Sequence, residues 1–230
     1  MSNFLYNKLL GKRDTRILRL FSDTDSRARL RGDLLHVDLD TRPEYVALSY
    51  VWGTASDPEP FSCSRQDIII GKNLGQALRH VRPESGNGLF IWVDALCINQ
   101  RDIEEKNAQV AMMRDIYWFA EEVKVWLGLD ETGDAEYIFN AIGMSIDLLI
   151  EGIEDKIPLQ ETLQRRVEWA PSTMQQLMPL FHCGYFTRTW IIQEVGLAKR
   201  AIAYWGKSMT NFHNIGCAAM MLLQYSWISA

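Results

Sequence analysis

Four short apolar runs constrain the fold of this 230-residue chain more than any other feature. The runs cover residues 45–52, 89–94, 123–127 and 201–205, and the run at 89–94 is continuously apolar until it ends in Asp94. A continuous apolar run of this length is typical of a strand that is buried on both faces of a sheet. Segments with helical spacing separate the runs, and this alternation predicts an α/β fold with a mainly parallel central sheet flanked by helices. In such sheets, ligands bind beyond the carboxyl ends of the strands.

The clearest helix start follows the second run. Asp102 is a good N-cap residue, and Glu105 comes three positions later, as in a capping box. Val110, Met113 and Tyr117 then recur at helical spacing. The pattern predicts a helix that begins after Asp102.

The segments around the apolar runs suggest three regions. Residues 1–33 are polar and basic, and residues 54–66 have the composition of a loop, with Pro58 and Pro60. We expect an N-terminal extension (1–44) that packs on the domain, the domain itself (45–206), and a C-terminal helix (207–230) that begins a further region.

The composition excludes several classes of protein. The chain has 24 Lys and Arg residues against 29 Asp and Glu, a formal net charge of −5, so we do not expect it to bind nucleic acid. Its apolar runs are shorter than the ~20 residues that cross a bilayer, and its N-terminus lacks a secretory signal pattern. We therefore expect a cytoplasmic protein without a membrane span. The four cysteines form no CxxC pair, so no metal site is expected.

Three segments together resemble the fungal heterokaryon-incompatibility (HET) domain. They are YVALSYVWG (45–53), WVDALCINQRDIEEKNAQVAMM (92–113) and RTWIIQE (188–194). Members of this family trigger regulated cell death when genetically different fungal cells fuse. The resemblance implies an incompatibility partner protein. It also links the chain to TIR domains, which are flavodoxin-like α/β modules, are often active as homo-oligomers, and have been likened to HET domains.

The likeness to TIR domains implies a candidate catalytic residue. Some TIR domains hydrolyse NAD through one glutamate in a W-x-x-x-E helix, and Trp190 and Glu194 have that spacing. Residues four apart share one face of a helix. Nicotinamide leaves a cationic ring as a neutral molecule, so its departure needs no general acid, unlike the usual glycosidase reaction with a carboxyl pair. One carboxylate that stabilises the developing charge on the ribose suffices.

The resemblance therefore implies an NAD glycohydrolase with NAD as substrate and no bound cofactor. Glu194 is the catalytic candidate. The substrate-binding candidates surround the strand ends and the third segment: Tyr50, Trp52, Gly53, Asp94, Asn99, Arg188 and Trp190.

Each candidate also has a structural interpretation. Glu194 can pair with Arg188, Asp94 can cap the following turn, and Asn99 can hydrogen-bond within a turn. Tyr50 and Trp52 can be core residues. The alternative function is a death-signalling module that self-associates and recruits a partner without catalysis. A cysteine hydrolase based on Cys97 is disfavoured, because no histidine is near it in sequence.

Overall fold

The computed structural model describes residues 6–53, 58–64, 66–158, 161–162 and 171–228. The chain divides into two compact units. The first unit consists of Met1–Gly128 and Arg188–Ala201, and the second of Leu129–Thr187 and Ile202–Ala230. Strands and helices are numbered below in chain order.

The first unit is a mixed α/β structure built on a large sheet. Its strands are β1 (Asp14–Leu20), β2 (Leu30–Asp38), β3 (Val46–Tyr50), β4 (Pro58–Cys63), β5 (Gln66–Gly71), β6 (Leu89–Trp92) and β7 (Glu122–Gly128). They lie side by side in the order β5-β4-β2-β1-β6-β3-β7. The helices of this unit are α1 (Lys72–Val81), α2 (Asp94–Cys97), α3 (Ile103–Phe119) and α6 (Ile191–Val195).

Antiparallel pairing predominates in the structure, so the prediction of a mainly parallel, flavodoxin-like sheet is not confirmed. The predicted strands β6, β3 and β7 do form a parallel group with β3 in the middle. The difference arises from β1, which inserts between β2 and β6 and pairs antiparallel with both. The apolar pattern of β3, β6 and β7 does not indicate which strand pairs with the outer side of β6.

The segment before residue 45 is an integral part of this sheet. Ile17, Leu18 and Leu20 of β1 are buried, although the segment as a whole is polar and basic. β1 also contains Arg16, whose side chain is buried and paired with Glu105.

Of two further local predictions, one differs from the structure and the other is confirmed. The predicted loop at residues 54–66 contains β4, whose Phe61–Cys63 end pairs with β2, while Pro58 and Pro60 lie where β4 pairs only with β5. A strand tolerates proline where one of its sides has no partner. The helix predicted from Asp102 is confirmed as α3, and the Asp102 carboxylate accepts a hydrogen bond from the Glu105 backbone N–H at 3.0 Å.

In the part of the chain that the structure describes, the second unit combines helices with a two-stranded hairpin. Its α-helices with described bounds are α4 (Ala135–Glu154), α5 (Pro171–Phe181) and α7 (Phe212–Ile228), and the strands are β8 (Ala201–Trp205) and β9 (Ser208–Asn211). β8 pairs antiparallel with β9, so the fourth predicted strand exists but has an antiparallel neighbour. Met221 of α7 is buried against Ile146 and Leu149 of α4. Among the described residues, no helix combines the length and the apolar character that crossing a membrane requires.

Candidate functional site

One cavity of about 490 Å³ lies within the first unit. Its volume is in the range that accommodates small organic ligands. It brings together residues from the ends of β3 and β6 with residues around α6, which are far apart in the sequence. Six of the eight candidate site residues line it: Trp52, Gly53, Asp94, Arg188, Trp190 and Glu194. The strand ends and the W-x-x-x-E segment therefore converge on one site.

Glu194 is the most deeply buried charged group of this cavity, at 1% exposure. The Arg188 guanidinium donates to both carboxylate oxygens, with Nη1 at 2.9 Å and Nη2 at 2.7 Å. The Ser49 hydroxyl at the end of β3 donates to the same carboxylate. A two-pronged arginine contact fixes both the position and the orientation of a carboxylate. Glu194 is thus the partner of Arg188, and the structure holds it rigidly in the cavity wall.

The spacing of Trp190 and Glu194 forms one helical turn, as expected. The Glu194 backbone N–H donates to the Trp190 carbonyl at 3.1 Å. However, α6 has only five residues, and Trp190 precedes it. The Trp190 indole is 45% exposed while Glu194 is buried, so the indole forms the outer part of the wall and the carboxylate the inner part.

Asp94 is the second carboxylate of the cavity, and it begins α2, with Val93 between it and the end of β6. Its Oδ2 accepts a hydrogen bond from the Trp52 indole N–H at 2.7 Å, and its Oδ1 accepts one from the Ala95 backbone N–H at 2.7 Å. Desolvation raises the pKa of Asp94 to about 6, and the nearby Glu194 charge adds to this effect, although the two hydrogen bonds oppose it. Asp94 can therefore hold or release a proton near neutral pH. It is the first residue of α2, whose N-cap residue is Val93 and has no side-chain cap, so its bond to the Ala95 N–H lies within the first turn.

Trp52 is placed at the cavity by the backbone that follows β3. Gly53 has a φ of 74°, in the left-handed region that favours glycine. The Trp52 indole is 47% exposed and is held by Asp94, so it is not a core residue. Trp52 and Trp190 thus provide two half-exposed aromatic surfaces for stacking.

Two candidates have other positions. Tyr50 is buried, and burial beside Asp94 raises its pKa well above the ordinary value, so it supports the cavity from within the core. Asn99 lies in the turn between α2 and α3. Its backbone N–H donates to Glu105 at 2.8 Å, and its side-chain oxygen accepts from the Arg101 backbone N–H at 3.2 Å. Turn hydrogen bonding, the structural interpretation, describes Asn99.

Several lining residues were not among the candidates. Lys106, Val110 and Met113 line the cavity from α3, at positions i, i+4 and i+7. This spacing was visible in the sequence, but nothing in it indicates that the face borders a cavity rather than the core. Ser49 also has no local signal, because its partner Glu194 is 145 residues away.

Gln100 completes the wall beside Asp94. Its side-chain N–H donates to the Asp94 carbonyl at 2.9 Å. Its Oε1 is shielded from solvent and has no hydrogen-bond partner among the described residues. Leaving a buried acceptor unpaired costs ~1–3 kcal/mol.

Two other kinds of site, a cysteine nucleophile and a metal centre, can be compared with the described residues. Burial raises the pKa of the Cys97 thiol to about 12, which disfavours a thiolate nucleophile there. Within the described ranges, no group of three or more His, Cys, Asp or Glu side chains is arranged to hold a metal ion. The chemistry that the cavity can offer thus rests on two carboxylates, an arginine, a lysine and two indoles.

Comparisons with known proteins agree with the segments that form this cavity. The family model described as heterokaryon incompatibility protein (HET) matches residues 45–194, which is more than half of the chain. A similar relative is heterokaryon incompatibility protein 6, OR allele, from Neurospora crassa, at 40% identity. The aligned region covers 37% of this chain and 14% of that relative, so the chain corresponds to a small part of its length. No solved structure matches the chain. The chain belongs to the heterokaryon incompatibility (HET) protein family.

Proposed function

We propose that this chain acts in heterokaryon incompatibility, and that it promotes cell death by hydrolysing NAD to release nicotinamide. The observation that carries the proposal is the convergence of Glu194, Asp94 and the end of β3 on one cavity with aromatic walls. Family membership supports the biological role, because the similar relative is named as an incompatibility protein. The proposal treats the chain as TIR-like in mechanism.

In this proposal, Glu194 supplies the negative charge that the reaction requires. Arg188 neutralises it in the structure described above. Arginine also binds phosphate oxygens well. We propose that the diphosphate of entering NAD draws Arg188 away and leaves the Glu194 charge, still oriented by Ser49, beside the ribose. The carboxylate then stabilises the cation that forms as the nicotinamide–ribose bond breaks.

Nicotinamide release by the purified chain, with Glu194→Gln as the central variant, tests this function. Loss of one preorganised electrostatic contact lowers a rate by ~10² to 10³. Glu104→Gln is the matched control, because Glu104 is exposed at the start of α3 and does not line the cavity. Glu194→Gln also leaves Arg188 without its charged partner, so urea unfolding of each variant must accompany the assay.

Asp94→Asn provides a second variant that tests the same cavity with less risk to folding. It removes a charge that the cavity desolvates and keeps the shape of the side chain. We expect the rate of nicotinamide release to fall by ~10-fold or more, because the substrate loses a hydrogen bond to the charged Asp94 carboxylate. Parent chain that releases no nicotinamide at any concentration, or folded Glu194→Gln with the parent's rate, contradicts the enzymatic function.

A second function has an observation in its favour. Both oxygens of Glu194 are occupied and the residue is buried, as in a carboxylate that only stabilises the fold. The alternative proposal is a signalling module that kills by recruiting an incompatibility partner. It predicts that folded Glu194→Gln remains as toxic as the parent when expressed in fungal cells, whereas the enzymatic proposal predicts loss of toxicity.

We also propose that the chain works as a homo-oligomer, for which the resemblance to TIR domains is the support. Met220 and Leu223 of α7 are exposed, while Met221 is buried within its unit. The apolar surface available to a second copy is therefore narrower than the sequence indicates. Light scattering that shows a monomer at all concentrations, with full activity, contradicts the requirement for assembly.

A further inference from the structure

The unpaired oxygen of Gln100 is the most informative group in the cavity wall. The contact from Gln100 Nε2 to the Asp94 carbonyl, at 2.9 Å, identifies which end of the amide is the nitrogen, because a carbonyl can only accept. The Oε1 end is therefore an acceptor, and it lacks a donor among the described residues. Buried polar groups are nearly always hydrogen-bonded, so such an exception requires an explanation.

The carboxylate acceptors of the cavity are already engaged. Arg188 donates to both oxygens of Glu194. Trp52 and the Ala95 backbone each donate to one oxygen of Asp94. Gln100 Oε1 differs from these oxygens in having no donor at all among the described residues, so it is the acceptor that gains most from a ligand N–H.

The surroundings of Gln100 indicate what kind of group carries that donor. Ile98, Val110 and Met113 give the cavity apolar walls, and Trp52 presents a half-exposed indole. Aromatic and apolar surfaces favour a flat ring over a freely hydrated sugar. An N–H attached to a planar heteroaromatic ring satisfies both the acceptor and the walls.

We propose that Gln100 is the specificity-determining residue of this cavity. On ligand entry its Oε1 turns toward the bound ring and accepts a hydrogen bond from a carboxamide or an exocyclic amino N–H of that ring. The inference rests on the proposed function for its choice of ligand, since NAD carries one such group at each end. To the proposed function, the inference adds that Gln100 distinguishes these rings from analogues that lack the N–H donor.

Binding of four small fragments, followed by tryptophan fluorescence of the full chain, tests the proposal. Nicotinamide is compared with nicotinate, and adenosine with purine riboside. The first member of each pair carries the N–H donor, and the second lacks it: nicotinate has an oxygen in its place, and purine riboside has a hydrogen on the ring carbon. We expect the parent chain to prefer one first member over its counterpart by ~10-fold, the usual effect of one hydrogen bond of average strength or better. The pair that shows this preference identifies the end of NAD that Gln100 contacts.

Gln100→Met removes the acceptor and keeps the length of the side chain. We expect this variant to lose the preference, bringing the two members of the pair to within about twofold of each other. Gln193→Met is the matched control, because Gln193 is an exposed glutamine on α6 that does not line the cavity. Gln193→Met should retain the parent's preference.

Three results overturn the proposal: a parent chain that binds none of the fragments, equal binding within both pairs, or a preference that survives in Gln100→Met. The last result assigns the preference to charge or to a bound water molecule. The fragments are not cleaved, so the measurement is independent of hydrolysis. Fragment preference without any nicotinamide release from NAD refutes the proposed enzymatic function and leaves the assignment of Gln100 intact.

Discussion

Arg16 illustrates, at the scale of single residues, how a charged side chain can occupy an inner strand of a sheet. It is 3% exposed, and its guanidinium donates to Glu105 Oε1 at 2.6 Å and to Glu105 Oε2 at 2.9 Å. The same group donates to the Cys97 carbonyl at 3.2 Å and lies over the Tyr6 ring. A buried charge is tolerated when it is paired and hydrogen-bonded in this way.

We expect Glu105→Gln to destabilise the fold, because it leaves the Arg16 charge buried without a counter-charge. Removing one partner of a buried ion pair reduces the free energy of unfolding by roughly 3 kcal/mol. Urea unfolding measures the change. Glu104→Gln serves as the neighbouring exposed control and should change it by less than ~0.5 kcal/mol. Equal stability of the two variants contradicts the role of the Arg16–Glu105 pair.

Asp94 should make stability depend on pH. Its pKa of about 6 in the folded chain lies above the ordinary value of 3.8, so the folded state holds the proton more tightly. Between about pH 4 and about pH 6, the free energy of unfolding should therefore fall as pH rises, by at most ~3 kcal/mol.

Asp94→Asn should lack this contribution. The stability of the parent relative to the variant should therefore increase as the pH is lowered from about 7 to about 4. Urea unfolding at each pH gives this difference, in which the contributions of the other titrating groups cancel. A difference that stays constant over this range, or changes in the opposite direction, contradicts the raised pKa.

At the scale of elements, the start of α3 shows a capping pattern used only in part. Asp102 accepts from the Glu105 backbone N–H, as the pattern predicts. The second bond of a capping box, from the Asp102 backbone N–H to the Glu105 carboxylate, is not made. The Asp102 N–H donates instead to the Asn99 carbonyl, and the Glu105 carboxylate accepts from Arg16 and from the Asn99 backbone N–H at 2.8 Å. A residue that local spacing assigns to the cap thus joins α3 to β1 and to the turn that borders the cavity.

Asp102→Ala should reduce the free energy of unfolding by ~1 kcal/mol, the usual effect of losing an N-cap side chain. Thermal unfolding detects a change of this size. Arg101→Ala is a suitable control, since Arg101 is exposed and precedes the cap. If both variants melt with the parent, the cap contributes nothing measurable.

At the scale of the whole molecule, the first unit extends beyond the N-terminal end of the region that the family model matches. The match begins at residue 45, whereas β1 and β2 lie before it and belong to the same sheet. β1 separates β2 from β6, and Leu18 and Leu20 of β1 are fully buried. Removal of this segment exposes an edge of β6 and part of the core.

A chain that begins at Tyr45 should consequently fail to fold or should aggregate, since it loses a central strand and exposes an unpaired edge. Far-ultraviolet circular dichroism and size-exclusion chromatography, with the 230-residue chain as reference, measure this. Leu18→Ala in the complete chain is the milder companion and should cost ~2–5 kcal/mol. A soluble, cooperatively folded chain starting at Tyr45 contradicts the structural role of β1.

The sequence by itself determined the features that depend on neighbours along the chain. The parallel strands β3, β6 and β7 follow from short, largely apolar runs, and the α3 cap follows from the spacing of Asp102 and Glu105. The approach of Trp190 and Glu194 follows from one turn of helix. These signals act over a few residues, so periodicity and spacing reveal them.

Only the tertiary structure decided how those pieces meet. It inserted the basic strand β1 into the sheet, buried Glu194 between Arg188 and Ser49, and left Gln100 Oε1 without a donor among the described residues. Each outcome depends on a partner distant in sequence or on the solvent that packing excludes. Local spacing does not encode either quantity, because the energy of a charge or an amide depends on which groups the fold places around it.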